Sequence, residues 1–433
     1  MNPLLYVRHR LRAMISQIEE LEQSEFPYST PRRVLGYIKG WCEDLLESET
    51  ELGPKPSADV IMDYANKSLL LCEKYLPILG FVLRSTNIRN GFELFGPLRR
   101  IADSLLSPER AETEQRTPLI LSSEWDYMPM FRMASTLPGF VMIGLPANES
   151  SNPLLFPLCG HELGHALWGR GNRDSDYFGK LRKTLAGIFN AKWQEIVDVV
   201  HQFKDTKKPP VQGELSAESF AGMRSQAEEW AALQAEEVFC DFVGVRLFGR
   251  AYFLAFAHLL LPGNIGKRLP GYPNVVPRVR YMLAAMEAYG FEKDDLSSDL
   301  FEDRPDWDMP AHRVLLRFAD EAVSAVINDL VADVDKAAER GGVAFLDKGQ
   351  VDKILAAFRY VVPPVGGAGL ADILNAGWRV FEDDGFWKEY DHIYNDKARV
   401  LRDLLLKSIE LIEVEEIRIE MEKRHAAANR SDS

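Results

Sequence analysis

The first part of the chain repeats apolar residues at intervals of three and four, which is the period of an amphipathic helix. In residues 3–23 the apolar positions are Leu4, Leu5, Val7, Leu11, Met14, Ile15, Ile18 and Leu21. Further helices are predicted to begin at Thr30-Pro31 and at Ser57, and a fourth to cover about 92–107. Charged residues fill the opposite faces, so residues 1–117 are predicted to form an N-terminal helical bundle.

The pattern then changes to short apolar runs bounded by proline and glycine. Residues 119–123 and 139–145 are predicted to be β-strands. Asn152-Pro153 predicts the start of a helix, because asparagine caps helices and proline suits their first turn. This helix is expected to end near Gly169, and residues 118–290 are predicted to form the second domain.

The remaining pattern is mostly helical. Further helices are predicted over about 176–203, 217–248, 251–261 and 386–424. The proline- and glycine-rich residues 262–277 are predicted to be loop, and the acidic stretch within 292–308 is predicted to be a solvated linker. Residues 291–433 complete the chain as a C-terminal helical domain. The predicted fold class is therefore mainly α with a small β-sheet (α+β).

Composition restricts the possible partners. The chain has 433 residues, with 51 Lys+Arg against 65 Asp+Glu and a formal net charge of −14. No nucleic-acid partner is predicted, because duplex binding depends on basic residues that neutralise phosphates. The apolar runs are too short to cross a bilayer and the first residues do not have the pattern of a signal peptide, so no membrane partner and a cytoplasmic location are predicted. The sequence pattern does not predict an oligomeric state.

The cysteines narrow the choice of metal ligands. The chain contains four cysteines and no C-x-x-C pair, which predicts neither a disulfide framework nor a cysteine-built zinc site. A metal site in this chain is therefore expected to use histidine and carboxylate ligands.

One motif stands out for its chemistry: His161-Glu162-Leu163-Gly164-His165, an H-E-x-x-H sequence inside the helix predicted after Pro153. Residues four apart share one face of a helix, so His161 and His165 can bind one metal ion. Glu162 is rotated by about 100° and is placed to accept a proton from a metal-bound water. Imidazole ligands favour Zn²⁺, which is the predicted cofactor.

A catalytic zinc ion also needs a third protein ligand and one open position. Glu237 and Asp241 lie four residues apart on the predicted helix over 217–248, hence on one face. Glu237 is predicted to be the third ligand, and Glu236 and Glu229 are the alternatives. Asp241 is predicted to accept a hydrogen bond from the far nitrogen of a ligand histidine.

Small residues are predicted at the contact between the two metal-bearing helices. Gly244 lies two turns beyond Glu237 and leaves room for close packing. Cys159 and Cys240 are predicted to be small buried thiols between these helices rather than ligands.

The motif at 161–165, together with E-x-x-x-D at 237–241, resembles the active site of the gluzincin group of zinc metallopeptidases, the thermolysin-like enzymes. The resemblance covers about residues 118–290. It implies a zincin-like catalytic core in which an edge strand, here 139–146, precedes the H-E-x-x-H helix and holds extended peptide substrates. It also implies that Glu162 acts first as general base and then as proton donor.

Two features qualify this resemblance. The gap between His165 and Glu237 is long and requires an inserted helical segment. A third histidine close to the motif, which metzincins use, does not occur, and this excludes that sister group. The resemblance also implies that Asp241 lies behind a ligand rather than on the metal.

Peptide hydrolysis needs a group that stabilises the oxyanion. A segment with tyrosine and arginine follows the predicted ligand helix at 271–280. Tyr272 and Arg280 are the predicted candidates, and Arg278 and His258 are the alternatives.

Taken together, the pattern predicts a zinc metallopeptidase that hydrolyses peptide or protein substrates, with Glu162 as general base. The alternative is a zincin-fold binding or regulatory protein that keeps the metal site, turns nothing over and acts through its flanking helices. The intact Glu162 favours the enzyme, because a purely structural metal site does not need this residue.

Overall fold

The protein is described from a computed structural model. The structure describes residues 3–53, 56–88, 91–106, 117–124, 137, 140–147, 151–171, 177–192, 194–198, 217–260, 266–293, 295–306, 309–364, 366–390 and 396–431. Within them the fold is mostly helical with one small sheet, which confirms the predicted class of mainly α with a small β-sheet.

Two compact units make up the chain. The first contains Met1–Asp103, Glu109–Pro153 and Leu406–Ser433, and the second contains Ser104–Pro108 and Leu154–Leu405. The sequence changes character near Pro118, whereas the compact units change at Leu154. As a result, both strands belong to the first unit and the H-E-x-x-H helix to the second.

The N-terminal helices confirm the predicted helical period. They are α1 (Pro3–Glu22), α2 (Thr30–Thr50), α3 (Ala58–Arg84) and α4 (Gly91–Leu106). The apolar face of α1 is buried, with Leu11 and Ile18 fully shielded from solvent. The hydroxyl of Ser57 accepts a hydrogen bond from the backbone N–H of Val60, so it caps α3 where the sequence predicted a helix start.

The sheet of the first unit has two parallel strands, β1 (Leu119–Glu124) and β2 (Val141–Pro146), with Leu119 opposite Val141. Both strands lie at the predicted places. Residue 139, the predicted start of the second strand, lies outside the described residues.

The second unit contains the remaining helices and the start of the last one. They are α5 (Cys159–Gly171), α6 (Tyr177–Ala191), α7 (Ala217–Phe248), α8 (Arg250–Leu260), α9 (Val275–Ala288), α10 (Pro310–Ser324), α11 (Ile327–Arg340), α12 (Lys348–Phe358), α13 (Leu370–Glu382) and α14 (Lys397–Ser431). The residues of α14 from Leu406 onward belong to the first unit. The predicted helix over 217–248 is confirmed. The helix predicted over 251–261 is confirmed up to Leu260, and residue 261 lies outside the described residues.

The helix predicted from Pro153 begins differently. Pro153–Leu158 is a 3₁₀-helix, and the α-helix starts only at Cys159. Pro157 explains the delay, because it has no N–H for a bond to the carbonyl of Pro153 and its ring would clash with that carbonyl in an α-helix. The 3₁₀-helix is held in the second unit by the indole N–H of Trp378, which donates to the carbonyl of Leu154 at 3.0 Å.

Other boundaries also differ from the prediction. Helix α6 ends at Ala191, and residues 194–198 are again helical. Residues 193 and 199–203 of the predicted helix lie outside the described residues. Asn274 caps α9, which therefore begins inside the predicted loop 262–277. The last helix begins at Lys397 instead of 386, after a turn and a short 3₁₀-helix.

The acidic stretch within 292–308 is not simply a solvated linker. The carboxylate of Asp303 accepts a hydrogen bond from the N–H of Val276 at 2.9 Å. The N–H of Arg304 donates to the side-chain oxygen of Asn274 at 2.9 Å. These bonds attach the stretch to the start of α9, because the first amides of a helix need acceptors.

None of the helices in the described ranges combines the length and the apolar composition needed to cross a membrane.

Candidate metal centre

Helices α5 and α7 approach each other through small residues. A Cβ atom added to Gly160 would lie 2.9 Å from the Cα atom of Gly244. One added to Gly164 would lie 2.6 Å from the Cα atom of Cys240. Each pair brings backbone against backbone, and the order of the pairs shows that the helices are antiparallel. The predicted close packing at Gly244 and Cys240 is confirmed.

Directly beside this contact, the two histidines face one carboxylate. The Nε2 atom of His161 lies 3.3 Å from Oε2 of Glu237, and the Nε2 atom of His165 lies 3.8 Å from Oε1 of the same side chain. Two ligands of one tetrahedral zinc ion, each about 2.1 Å from the metal, are separated by about 3.4 Å. The three side chains predicted as ligands thus lie together, and each histidine faces a different oxygen of Glu237.

The other ring nitrogens contact two further carboxylates. Nδ1 of His161 lies 3.0 Å from Oδ1 of Asp241, and Nδ1 of His165 lies 2.9 Å from Oε1 of Glu236. Because an ionised carboxylate only accepts hydrogen bonds, each ring donates through Nδ1–H, and its Nε2 atom is the one left to face Glu237. Glu236 is one of the alternative third ligands predicted from the sequence. It contacts the Nδ1 side of His165, just as Asp241 contacts the Nδ1 side of His161.

Two other side chains near the motif are less suited to be the third ligand. Glu229 accepts a hydrogen bond from the side-chain amide of Gln226 at 3.3 Å. Cys240 groups with the two histidines, and the possible ligand atoms of these three residues lie within 4.8 Å of one another. Burial raises the pKa of the Cys240 thiol well above its usual value, and a protonated thiol is a poor metal ligand.

Glu162 is buried beside the histidines, with 4% of its surface exposed. Within the described residues its Oε2 atom has no hydrogen-bond partner. Burial raises the pKa of Glu162, and the charges of His161 and His165 oppose that rise. A buried polar atom without a partner costs about 1–3 kcal/mol, which marks this oxygen as a place for a bound ligand or water.

The charged groups at the centre shift one another's pKa values. Burial by itself would lower the pKa of His161, but its hydrogen bonds with Asp241 and Glu237 raise that pKa to about 10. Burial opposes the ionisation of Asp241, yet the neighbouring Arg278 holds the pKa of its carboxyl below the usual value. Burial likewise opposes ionisation of Glu237, and the hydrogen bond with His161 lowers its pKa. The metal-free centre thus holds a proton that a bound cation would displace.

Tyr252, at the start of α8, is a member of the centre that the sequence pattern does not predict. Its hydroxyl donates to Oδ1 of Asp241 at 2.6 Å and lies 3.4 Å from Nδ1 of His161. Its ring occupies the space beside Gly244, where a Cβ atom would overlap it. The only sequence signal for this neighbour is Gly244 itself.

The candidates for oxyanion stabilisation differ in burial and in the residues that they contact. Arg278 directs Nε and Nη2 at the carboxylate of Asp241, at 2.5 and 2.8 Å. The half-buried Tyr272 lies next to it, with its ring centre 5.7 Å from Cζ of Arg278. Arg280 is exposed on α9, because residues two apart point to different sides of a helix. His258 is exposed at the end of α8, beside the ring of Trp378.

This arrangement offers two imidazole nitrogens and a carboxylate to one cation, with a buried carboxyl group beside them. Comparison of the chain with protein-family models, curated proteins and solved structures found no match.

Proposed function

We propose that the protein is a zinc-dependent metallohydrolase and that it cleaves peptide bonds. One observation carries the proposal: the Nε2 atoms of His161 and His165 both face the carboxylate of Glu237, while a carboxylate occupies the Nδ1 side of each ring. Three protein ligands with such partners behind them are typical of catalytic zinc sites, which keep a fourth position open.

In this proposal His161, His165 and Glu237 hold the metal. Zinc supplies Lewis acidity, which lowers the pKa of a coordinated water and polarises a substrate carbonyl. Nδ1–H bonds to Asp241 and Glu236 fix the two rings, so that neither has to reorient when the cation binds.

Glu162 moves the proton in the proposed reaction. Its Oε2 atom, which has no hydrogen-bond partner among the described residues, accepts the proton of the attacking water and later delivers it to the leaving amine. The raised pKa of this buried carboxyl suits both steps, because a group with a pKa closer to neutrality accepts and releases a proton more evenly.

Peptides are the proposed substrates because the combination of H-E-L-G-H with a downstream E-x-x-x-D resembles the gluzincin peptidases. A zincin-like core around α5 and α7 is part of the same proposal. We place the activity in a reducing compartment such as the cytoplasm, since all four cysteines are free thiols.

The test combines metal content with one substitution. Purified protein is expected to carry about one zinc ion per chain and to cleave a peptide library in a chelator-sensitive manner. Glu162→Gln keeps the size of the side chain, and it should retain zinc while lowering turnover by about 10²- to 10⁴-fold. Glu287→Gln, the same change at an exposed position of α9, is the matched control and should behave as wild type.

The possible outcomes separate the two parts of the proposal. Protein that neither contains nor binds zinc contradicts the metal site. Zinc-loaded Glu162→Gln protein that cleaves peptides at the normal rate contradicts the mechanism.

A second function is favoured by the position of Cys240. If its sulfur joined His161, His165 and Glu237, four protein ligands would close the site, as in structural zinc sites. The protein would then be a binding or regulatory protein without turnover. Cobalt-substituted protein distinguishes the two, because a thiolate ligand adds a charge-transfer absorption that Cys240→Ala would remove.

A further inference from the structure

The carboxylate of Asp241 receives hydrogen bonds from three side chains that come from three different helices. Oδ1 lies 3.0 Å from Nδ1 of His161 on α5 and accepts from the hydroxyl of Tyr252 on α8 at 2.6 Å. The same oxygen accepts from Nη2 of Arg278 on α9 at 2.8 Å, and Oδ2 accepts from Nε of that arginine at 2.5 Å. Asp241 itself is only 1% exposed.

Arg278 does more than neutralise one acid. Its guanidinium group binds both oxygens of Asp241 side by side, which fixes the plane of the carboxylate as well as its position. Its Nη2 atom also lies 3.6 Å from Oε2 of Glu237. One arginine is therefore in contact with a proposed metal ligand and with the acid behind another ligand.

Tyr252 reaches the same acid from α8. Its side chain is 1% exposed, and Gly244 provides the space for its ring. A buried tyrosine hydroxyl needs a partner, and here that partner is Oδ1 of Asp241, the oxygen that also bonds to His161. The carboxylate therefore cannot rotate away from His161 without losing this bond as well.

We propose that Arg278 and Tyr252 are positioning residues of the metal centre: they lock the Asp241 carboxylate so that it holds Nδ1–H of His161 and keeps Nε2 directed at zinc. This inference rests on the proposed zinc site. It gives Arg278 a role other than oxyanion stabilisation, because two of its nitrogens are already bound to Asp241.

The expected effect is on metal affinity. Removing a group behind a metal ligand typically weakens zinc binding by about 10- to 100-fold. Tyr252→Phe removes one hydroxyl and keeps the ring, so we expect about a 10-fold loss. Arg278→Gln removes both bonds and the charge, so we expect about a 100-fold loss, and Arg278→Lys should recover part of it because it restores the charge without the paired geometry.

The experiment measures the zinc dissociation constant of the full-length protein by competition with a chromogenic chelator. Tyr289→Phe is the matched control for Tyr252→Phe, since the buried Tyr289 hydroxyl donates to the carbonyl of Val331 at 3.0 Å, within the same unit but outside the metal centre. Arg250→Gln is the control for the arginine, because Arg250 pairs with Asp295 at the surface. Neither control should change zinc affinity.

A double-mutant experiment distinguishes a positioning role from a general effect on the stability of the fold. In an Asp241→Asn background, Tyr252→Phe should weaken zinc binding much less than it does in the wild-type background, because the effect passes through Asp241. The melting temperature of zinc-free protein, measured in parallel, reports any loss of fold.

Each outcome bears on a different claim. If wild-type protein binds zinc, and Tyr252→Phe and Arg278→Gln bind it with the same affinity, this inference is overturned. The proposed function then stands. Equal losses in the wild-type and Asp241→Asn backgrounds also overturn it. Wild-type protein that binds no zinc contradicts the proposed function itself.

Discussion

Gly164 lies so close to Cys240 that a Cβ atom on the glycine would come within 2.6 Å of the cysteine Cα atom. The two residues belong to α5 and α7, and His165 and Glu237 lie within one turn of this contact. The separation of the helix backbones at this point therefore sets the separation of the proposed ligands.

Gly164→Ala should push α5 away from α7. Because the new methyl group meets backbone rather than a flexible side chain, we expect a loss of about 1–3 kcal/mol in the free energy of unfolding, together with weaker zinc binding. Gly169→Ala is the control in the same helix, since no atom of the described residues lies within 4 Å of its added Cβ. Urea denaturation should show Gly169→Ala to be as stable as wild type or slightly more stable. Equal stability of both variants would contradict the close contact.

Glu236 and Glu229 lie on the same helix, yet they should differ in their effect on zinc. Glu236→Gln alters the hydrogen bond at Nδ1 of His165, so it should weaken zinc binding by about 10-fold. Glu229→Gln should change affinity little, because Glu229 contacts Gln226 instead. Competition titration of the two variants decides which acid supports the site. A larger loss for Glu229→Gln would show that the third ligand has been assigned to the wrong acid.

Zinc should stabilise the fold, because its proposed ligands come from both α5 and α7. A ligand present at 100 times its dissociation constant adds about 2.7 kcal/mol to the free energy of unfolding. Calorimetry before and after chelation should therefore show a melting temperature several degrees lower without zinc, restored by adding zinc back. His165→Ala should show no such response. A melting temperature that chelation does not change would argue against a bound metal.

Tyr272 and Arg280 can be separated by kinetics. Tyr272 is half-buried beside Arg278, whereas Arg280 is exposed on α9. If Tyr272 donates to the oxyanion, Tyr272→Phe should lower kcat by roughly 10²-fold with little change in KM. Arg280→Ala should stay close to wild type, because its exposed side chain is not held toward the centre. The reverse ranking would assign the role to Arg280.

Local spacing predicted the parts of the fold and site that depend on a single helix. His161 with His165, and Glu237 with Asp241, are pairs four residues apart, and the structure places each pair on one face. The roles of Tyr252 and Arg278 could not be predicted in this way, since α8 and α9 reach Asp241 only through tertiary packing. Glu236 was ambiguous because neighbouring residues differ by about 100° in direction.

One proline and two hydrogen bonds explain the remaining differences. The delayed start of α5 follows from Pro157, because its ring would clash with the carbonyl of Pro153, four residues earlier, in an α-helix. The acidic stretch was expected to be solvated because its composition is polar, but composition does not reveal that Asn274 and Asp303 share hydrogen bonds at the start of α9. Partners from distant parts of the chain decided both the boundaries and the site.

The backbone contact between α5 and α7 also bears on which ion fits. At Gly160 and Gly164, α5 presents no side chain to α7, so the backbones of the two helices come into direct contact there. Zinc binds nitrogen and oxygen ligands at about 2.0–2.2 Å, whereas calcium needs about 2.3–2.6 Å and more oxygen ligands. Glycine at positions 160 and 164 lets the two helices come close enough for the proposed ligands to meet the short bonds of zinc, which a side chain at either position would prevent.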